Sequence, residues 1–326
     1  MKKKISVVIP TYQRAQLLQN CLNALAKQDF ALNDFEIIVV SDGPDHQTRS
    51  MLHTLNHLIL PYVQYMALPV NSGPATARNG GWLHANGSLV AFTDDDCLPD
   101  TAWLSSLWSA YVAAGKPENI AFSGKVEVPL PEVPTDFELN TSHLAYADFV
   151  TANCACTKKA LHMIQGFDER FKTAWREDSD LEFRLLENNV PVIKLHTAVV
   201  THPVRKAAWG VSLKEQKKTM FNALLYKKYP ALFRERIQRT PEWKYYLIIT
   251  GFLVMIAGLI LKQNSLLLTG AVVYIGLTIS FIVHRLMRTS RSLRHVMEMV
   301  VTSMMIPFAS VYWTLYGSLK YRVLFY

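Results

Sequence analysis

Three stretches without a charged residue constrain this chain more than any other feature: residues 245–261, 263–283 and 299–319. Their 17, 21 and 21 residues, at ~1.5 Å of rise each, make helices of roughly 26 to 32 Å, enough for a hydrocarbon core about 30 Å thick. The first two read as a transmembrane hairpin whose turn, 262–265, carries one cation, Lys262. Arg285, Arg288, Arg291 and Arg294 follow the second run, and a basic linker precedes the first. The positive-inside rule then places linker and arginine loop in the cytosol, beside the residues that come before them. The third run contains Pro307. It either spans, leaving the C-terminus outside, or lies as a kinked re-entrant segment; spanning is the expectation carried forward.

The formal charge of +8 is unevenly held. Residues 1–204 contain 16 Lys or Arg against 22 Asp or Glu, whereas residues 205–326 contain 18 against 4. A basic tail can bind nucleic acid, but here the cations flank apolar runs, which points to anionic membrane lipids and away from nucleic acid. Residues 205–244 hold 11 Lys or Arg against 3 Glu, with Leu213, Met220, Phe221, Leu224, Leu225 and Tyr226 at helical spacing before Pro230. Such a basic amphipathic segment lies at a membrane surface or is a solvated helix; the neighbouring runs favour the membrane. The opening MKKKISVVIP has too few apolar residues for a signal-peptide core, so residues 1–204 are expected on the cytoplasmic side of the cell (inner) membrane. The four cysteines show no zinc-type spacing and are read as reduced thiols without assigned chemistry.

Residues 1–204 alternate strand-like and helix-like segments, an α/β pattern. A strand at 5–9, stopped by Pro10, leads to a helix at 15–28 and a strand at 35–40. Both strands are continuous apolar runs, as in a parallel sheet covered on both faces. A helix at 48–58, a strand at 63–66, a loop at 71–74, a helix at 75–85 and a strand at 88–92 follow. Asp42 stands at the carboxyl end of a strand, the edge where open α/β sheets bind ligands, unless it is only the aspartate of an Asp-Gly turn. Arg78 lies in the first turns of its helix; on that helix alone a surface ion pair is slightly favoured over a ligand contact.

The next strand runs directly into Asp94, Asp95 and Asp96, in AFTDDDCLP. Three carboxylates at the end of a buried strand repel one another and are favourable mainly when a cation joins them. Mg²⁺ or Mn²⁺ fits, because these ions keep room for substrate phosphates, and a nucleotide or nucleotide sugar becomes the candidate ligand. The alternative is a solvated acidic turn before a helix near Asp100. Residues 127–138 are rich in Pro and acid and read as a loop able to move over a site. Residues 148–157 are β-like, 166–171 form a turn, and strands are expected at 190–195 and 198–202. Glu177, Asp178 and Asp180 fall in the first turn of a helix, where its dipole favours acids.

The motifs ISVVIPTYQR, EIIVVSDGP, NSGPATARNGG, AFTDDDCLPD, GFDERF and REDSDLEFRL, in that order, resemble those of a family 2 glycosyltransferase across roughly residues 4–205. The resemblance implies a GT-A fold, Rossmann-like with a mostly parallel sheet flanked by helices, a nucleotide-sugar donor and a divalent metal. It places Pro10, Thr11 and Tyr12 at the edge that cradles the nucleoside, with Arg14 and Asp95 in the same nucleotide-sugar site. By the same resemblance Asp42 bonds a uracil-type base, Arg78 serves the nucleotide pocket, Asp94 the ribose side, and Asp96 and His202 the metal. Asn153 and Glu177 fall on the acceptor side, and Asp178 is similar to the family's catalytic base. The implied domains are 1–204 catalytic, 205–244 a membrane-surface linker, and 245–326 a membrane region with two to three spans.

The function expected from this is inverting transfer of a sugar from a nucleoside-diphosphate sugar, UDP-type first, to a hydroxyl of a glycan or lipid-linked acceptor. Loading of polyprenyl phosphate is the alternative, but a phosphate oxygen is already ionised and needs no carboxylate base, so the Glu177-Asp178 pair favours a hydroxyl. A non-catalytic sugar-nucleotide-binding module fits poorly with intact acids at 94–96 and 178. Processive polymer synthesis is disfavoured because no Gln-x-x-Arg-Trp signature is present.

Overall fold

The computed structural model describes residues 3–56 and 63–325. They form two compact units: residues up to Pro129 with Ser142–Val204, and Leu130–Thr141 with residues from Arg205 onward. Residues 57–58, the end of the helix expected at 48–58, lie outside the described residues, as do Met1 and Lys2.

The first unit runs β1 (Ile5–Thr11), α1 (Ala15–Leu25), β2 (Phe35–Ser41), α2 (His46–Asn56), β3 (Val63–Ala67), α3 (Pro74–His84), β4 (Leu89–Phe92), β5 (Leu98–Pro99), α4 (Trp103–Ala113) and β6 (Ala121–Glu127). After α5 (Asp136–Ser142), which lies in the second unit up to Thr141, come β7 (Cys154–Thr157), α6 (Lys158–Ile164), α7 (Glu177–Glu187) and β8 (Val192–Thr201). Among the described residues these strands make one sheet in the order β3-β2-β1-β4-β7-β6-β8-β5. The first four are parallel, β7 is antiparallel to both β4 and β6, and β8 returns parallel to β6.

Both faces of the sheet are covered, which is why β1 and β2 are buried at every position. Val7 and Ile9 pack with Leu18, Leu22 and Leu25 of α1 and with Trp103 and Leu107 of α4. Val8 and Val40 pack on the opposite face with Ala77 and Trp82 of α3 and with Leu181 and Leu185 of α7. Each such fully buried leucine stabilises the fold by about 1.5 to 3 kcal/mol relative to exposure. The parallel half thus points the ends of β1, β2 and β4 to one edge.

Several expectations are corrected. Pro10 does not stop β1, which continues to Thr11. Thr11 O accepts from Asp42 on the β2 side and Val8 O from Thr93 on the β4 side, so Pro10 faces β4, where pairing has already ended at Val8. A residue without an N–H costs the sheet no bond there. The helix expected to Gln28 stops at Leu25, and the Gln28 side chain instead donates to Asp100 O and accepts from Leu104 N–H. The two strands expected at 190–195 and 198–202 are one strand with a bulge: Gly124 pairs with Leu195, and Lys125 already pairs with Val199.

The Pro- and acid-rich stretch 127–138 is not a free loop. Its first residue ends β6, its last residues start α5, and residues 130–141 pack with the second unit, although the expected domain boundary kept them in the first. Arg285 donates to both Asp136 oxygens (3.2 and 2.7 Å) and to the hydroxyls of Thr302, Ser303 and Ser212. Ser290 N–H adds a bond to Pro134 O (2.8 Å). Arg285 follows the second apolar run, so the strap is held by one of the cations that the sequence assigned to the membrane surface.

The second unit continues with α8 (Val211–Glu215), α9 (Met220–Lys228), α10 (Pro230–Arg236), α11 (Trp243–Ile260), α12 (Asn264–Leu286) and α13 (Leu293–Tyr321). The linker is therefore several short helices, since Pro230 starts a new one. The apolar face of α9, with Phe221 and Leu224, is buried, and α13 approaches so closely that a Cβ on Gly317 would fall 2.5 Å from Met220 O. Helices α11 and α12 form the expected hairpin: a Cβ on Gly270 would lie 2.2 Å from Met255 N, so only glycine permits this contact. Among the described residues, α11, α12 and α13 are the three helices long and apolar enough to cross a membrane, and α13 runs unbroken through Pro307.

Candidate active site

The carboxyl ends of β1, β2 and β4 deliver Thr11, Asp42 and the 94–97 turn to one edge of the sheet. Asp95 turns inward and is 2% exposed; its oxygens accept from Thr11 Oγ1 (2.8 Å) and Arg14 Nη1 (3.2 Å). Burial pushes its carboxyl up to about 6, with Arg14 opposing and Asp96 adding to the rise. Asp95 thus anchors the β1 loop to the acid turn. Tyr12, which follows Thr11 in the chain, is 43% exposed.

Asp94 and Asp96 point elsewhere. One oxygen of each, the Cys97 sulfur and a ring nitrogen of His202 all lie within 4.8 Å of one another. His202 is brought there by the end of β8, its N–H donating to Glu127 O (2.8 Å). Its Nε2 stands 3.6 Å from Asp96 Oδ1, and its Nδ1 is buried with no hydrogen-bond partner. Carboxylates and an imidazole so close suit a divalent cation, and Nε2 is the ring nitrogen turned toward Asp96. Cys97 was not singled out in the sequence; the only signal was its position directly after Asp96. Burial, and then the neighbouring aspartates, push its thiol well up, so it is a neutral thiol beside the carboxylates.

Arg78 is not a surface residue. It is 1% exposed, donating from Nη2 to Asp94 Oδ1 (2.7 Å) and from Nη1 to Glu177 Oε1 (3.1 Å), with its guanidinium 5.7 Å from the Phe167 ring centre. Burial works against its charge, but Asp94 and Glu177 outweigh that and its pKa rises. Glu177 is itself buried, its Oε2 has no partner, and burial with Asp178 next door pushes its carboxyl up to about 7, against the pull of Arg78. Asp178, one residue into α7, is half-buried and accepts from Ser179 N–H (2.7 Å). Its pKa is also raised, by burial first, with Ser179, Arg176 and Arg78 opposing. Asp178 is therefore more basic than an ordinary aspartate.

Asp42 is occupied by its own neighbours. Ser72 N–H, Gly73 N–H and Asn71 Nδ2 all donate to its carboxylate at 2.6 to 3.0 Å. Gly73 has φ of 99°, and a Cβ there would sit 2.6 Å from Lys172 O, so the loop closes on Asp42 only with glycine. Asn153 is not brought to the cluster: fully buried, it donates to Lys125 O (2.8 Å) and Ala198 O (2.9 Å) and accepts from Trp103 Nε1 (2.8 Å). Pro10 is likewise buried within β1. The structure therefore gathers Thr11, Arg14, Arg78, Asp94, Asp95, Asp96, Glu177, Asp178 and His202, and leaves Asn153 as a tie between β6, β8 and α4.

The strand order and this acid-lined edge define a mixed α/β domain of the GT-A type. The same fold is seen in the mannosyltransferase PcManGT from Pyrobaculum calidifontis, solved with GDP-Man and Mn²⁺: TM-score 0.64, 16% identity, 97% of this chain and 88% of that one covered. Residues 6–118 match the family described as Glycosyl transferase family 2. A validoxylamine A glucosyltransferase from Streptomyces hygroscopicus subsp. jinggangensis is 30% identical over 64% of this chain and 54% of its own length. The GalNAc(5)-diNAcBac-PP-undecaprenol beta-1,3-glucosyltransferase of Campylobacter jejuni is 29% identical over 52% of this chain and 56% of its own. The chain spans about half the length of these curated relatives.

Proposed function

We propose that this chain is a membrane-bound inverting glycosyltransferase that moves a sugar from a nucleoside-diphosphate sugar, UDP-type first, to a hydroxyl of a glycan or lipid-linked acceptor. The observation that carries the reading is Arg78, whose guanidinium bonds Asp94 of the acid turn on one side and Glu177, beside Asp178, on the other. A site for the departing diphosphate and a base for the incoming hydroxyl are thereby held at a fixed separation.

Tyr12, Arg14 and Asp42 lie at the edge where the nucleoside would rest, and Thr11 and Arg14 keep Asp95 folded inward. Asp96 and His202, with Asp94 beside them, would hold Mg²⁺ or Mn²⁺, whose charge when bound neutralises the nucleoside diphosphate that departs. The Pyrobaculum enzyme's Mn²⁺ and GDP-Man support that assignment by likeness of fold. Asp178 takes the proton of the acceptor hydroxyl as it attacks the opposite face of the sugar, and its raised pKa strengthens it as a base. An acceptor that is already an anion would gain nothing from such a base. The Campylobacter relative, named for an undecaprenol-PP-linked glycan, supports a lipid-linked acceptor here.

The three apolar helices and the basic residues that flank them in sequence support a membrane-bound enzyme whose catalytic unit works on the cytoplasmic side, with anionic lipids as partners. A screen of nucleotide sugars by thermal stabilisation, with and without Mg²⁺ or Mn²⁺, tests the donor assignment. At least one UDP-type donor should stabilise the protein more strongly with metal present. If no nucleotide sugar shifts the melting temperature under any metal condition, the reading is wrong.

A further inference from the structure

We propose that Cys97 makes the cation cluster a site that Zn²⁺ can close, so that zinc excludes the nucleotide that Mg²⁺ or Mn²⁺ would admit. This rests on the reading of Asp94, Asp96 and His202 as the cation site and adds a side chain that the transfer reaction does not use.

The four candidate ligand atoms, two carboxylate oxygens, a sulfur and an imidazole nitrogen, already lie within 4.8 Å of one another. The sulfur is there because residues 94–97 form a tight turn in which Cys97 N–H donates to Asp94 O (3.1 Å). His202 gives an independent sign that the cluster is built for a ligand, since it is only 9% exposed and turns its Nε2 to within 3.6 Å of Asp96 Oδ1.

The two kinds of metal would use this cluster differently. Mg²⁺ and Mn²⁺ favour oxygen, take about six ligands and keep several positions for water and phosphate, so a thiol adds little for them. Zn²⁺ favours four ligands with sulfur and nitrogen among them, at about 2.3 Å from S and 2.0 to 2.2 Å from N and O. Two oxygens, one sulfur and one nitrogen complete that tetrahedron from the protein alone. Four protein ligands are the closed pattern of structural zinc, and a closed site has no position for a diphosphate oxygen. On binding, the Zn–S bond forms as the S–H bond breaks and the proton leaves to solvent, with no change of oxidation state.

The test uses the full chain purified in detergent, with Co²⁺ as a spectroscopic probe, Zn²⁺ affinity by chelator competition, and Mn²⁺ binding by electron paramagnetic resonance. Wild type should show a thiolate-to-cobalt charge-transfer band that Cys97→Ser lacks. The same substitution should weaken Zn²⁺ by at least the roughly 10- to 100-fold that loss of an outer-shell partner costs, with Mn²⁺ affinity unchanged. UDP should bind the Mn²⁺-loaded wild type and not the zinc-loaded one. If Cys97→Ser fails to fold, Cys97→Ala provides the same comparison. No charge-transfer band and equal Zn²⁺ affinity in both proteins would overturn the zinc proposal alone. Failure of wild type to bind Mn²⁺ would overturn the cation-site reading and the zinc proposal with it.

Discussion

Arg78 and Glu177 stand 99 residues apart in the chain and meet in a buried ion pair, Nη1 3.1 Å from Oε1. The same arginine reaches Asp94 at 2.7 Å, so one side chain joins the end of β4 to the start of α7.

Breaking that junction should be costly, because removing one member of a buried ion pair leaves a charge without compensation, a loss of about 3 to 5 kcal/mol. Arg78→Met should therefore lower the melting temperature of the full chain. The pH dependence follows from Glu177, whose carboxyl already sits near 7 and rises further without the arginine. Below that pKa Glu177 is neutral and the vacancy is mild; above it the charge is bare. The loss should be larger at pH 8 than at pH 5, and equal losses at both would show that Glu177 is not the uncompensated group.

Asp42 organises the loop at 71–73, so its loss has two readouts. Asp42→Ala removes bonds from Ser72, Gly73 and Asn71 and should cost about 1 to 3 kcal/mol of donor binding, the scale of a hydrogen bond to a charged group. Increased protease cleavage within 71–73 should accompany the weaker affinity. Wild-type donor affinity despite a loosened loop would make Asp42 a turn residue alone.

The rate should depend on pH through the coupled carboxyls of Glu177 and Asp178. A base acts only when deprotonated, and both groups have raised pKa values, so turnover should fall on acidification well above the ordinary aspartate value of about 3.9. A pH profile under saturating substrates checks this. An acid limb near pH 4 would mean that neither of these two carboxyls is the base.

In the second unit, Arg285 holds Asp136 against Thr302 and Ser303. Arg285→Met should release residues 130–141, seen as faster hydrogen exchange of that strap with little change in α1 or β1. The paired change Arg285→Met with Asp136→Leu removes both charges and should recover most of the protection. Unchanged exchange in the single variant would mean that the strap is held by other contacts.

The parts of this architecture that could be read in the sequence are those carried by local pattern. Continuous apolar runs announced β1 and β2, uncharged stretches announced α11 to α13, and three successive aspartates announced the acid turn. What could not be read is carried by contacts between distant segments. Nothing around Arg78 in α3 reveals that Glu177 will cover it, nor that Asp136 will find Arg285, 149 residues on. Cys97 was legible as a neighbour of Asp96, but only the return of β8 with His202 makes the two part of one cluster. The resemblance carried Asn153 to the acceptor side, yet a strand end looks the same in sequence whether its amide faces a ligand or, as here, ties β6 to β8. The β8 bulge was hidden because its break in apolar pattern mimics a turn.

The most direct measurement is single-turnover transfer from a donor of confirmed binding, comparing Asp178→Asn with Glu177→Gln in membranes or detergent. Asp178→Asn keeps the shape and removes the base, so donor and metal should still bind while transfer falls by about 10²- to 10⁴-fold. Glu177→Gln should retain far more activity, since it changes the partner of Arg78 and not the base. Near-normal transfer by Asp178→Asn with a severe loss in Glu177→Gln would contradict the assignment of the base. Near-normal transfer by both would contradict a hydroxyl acceptor.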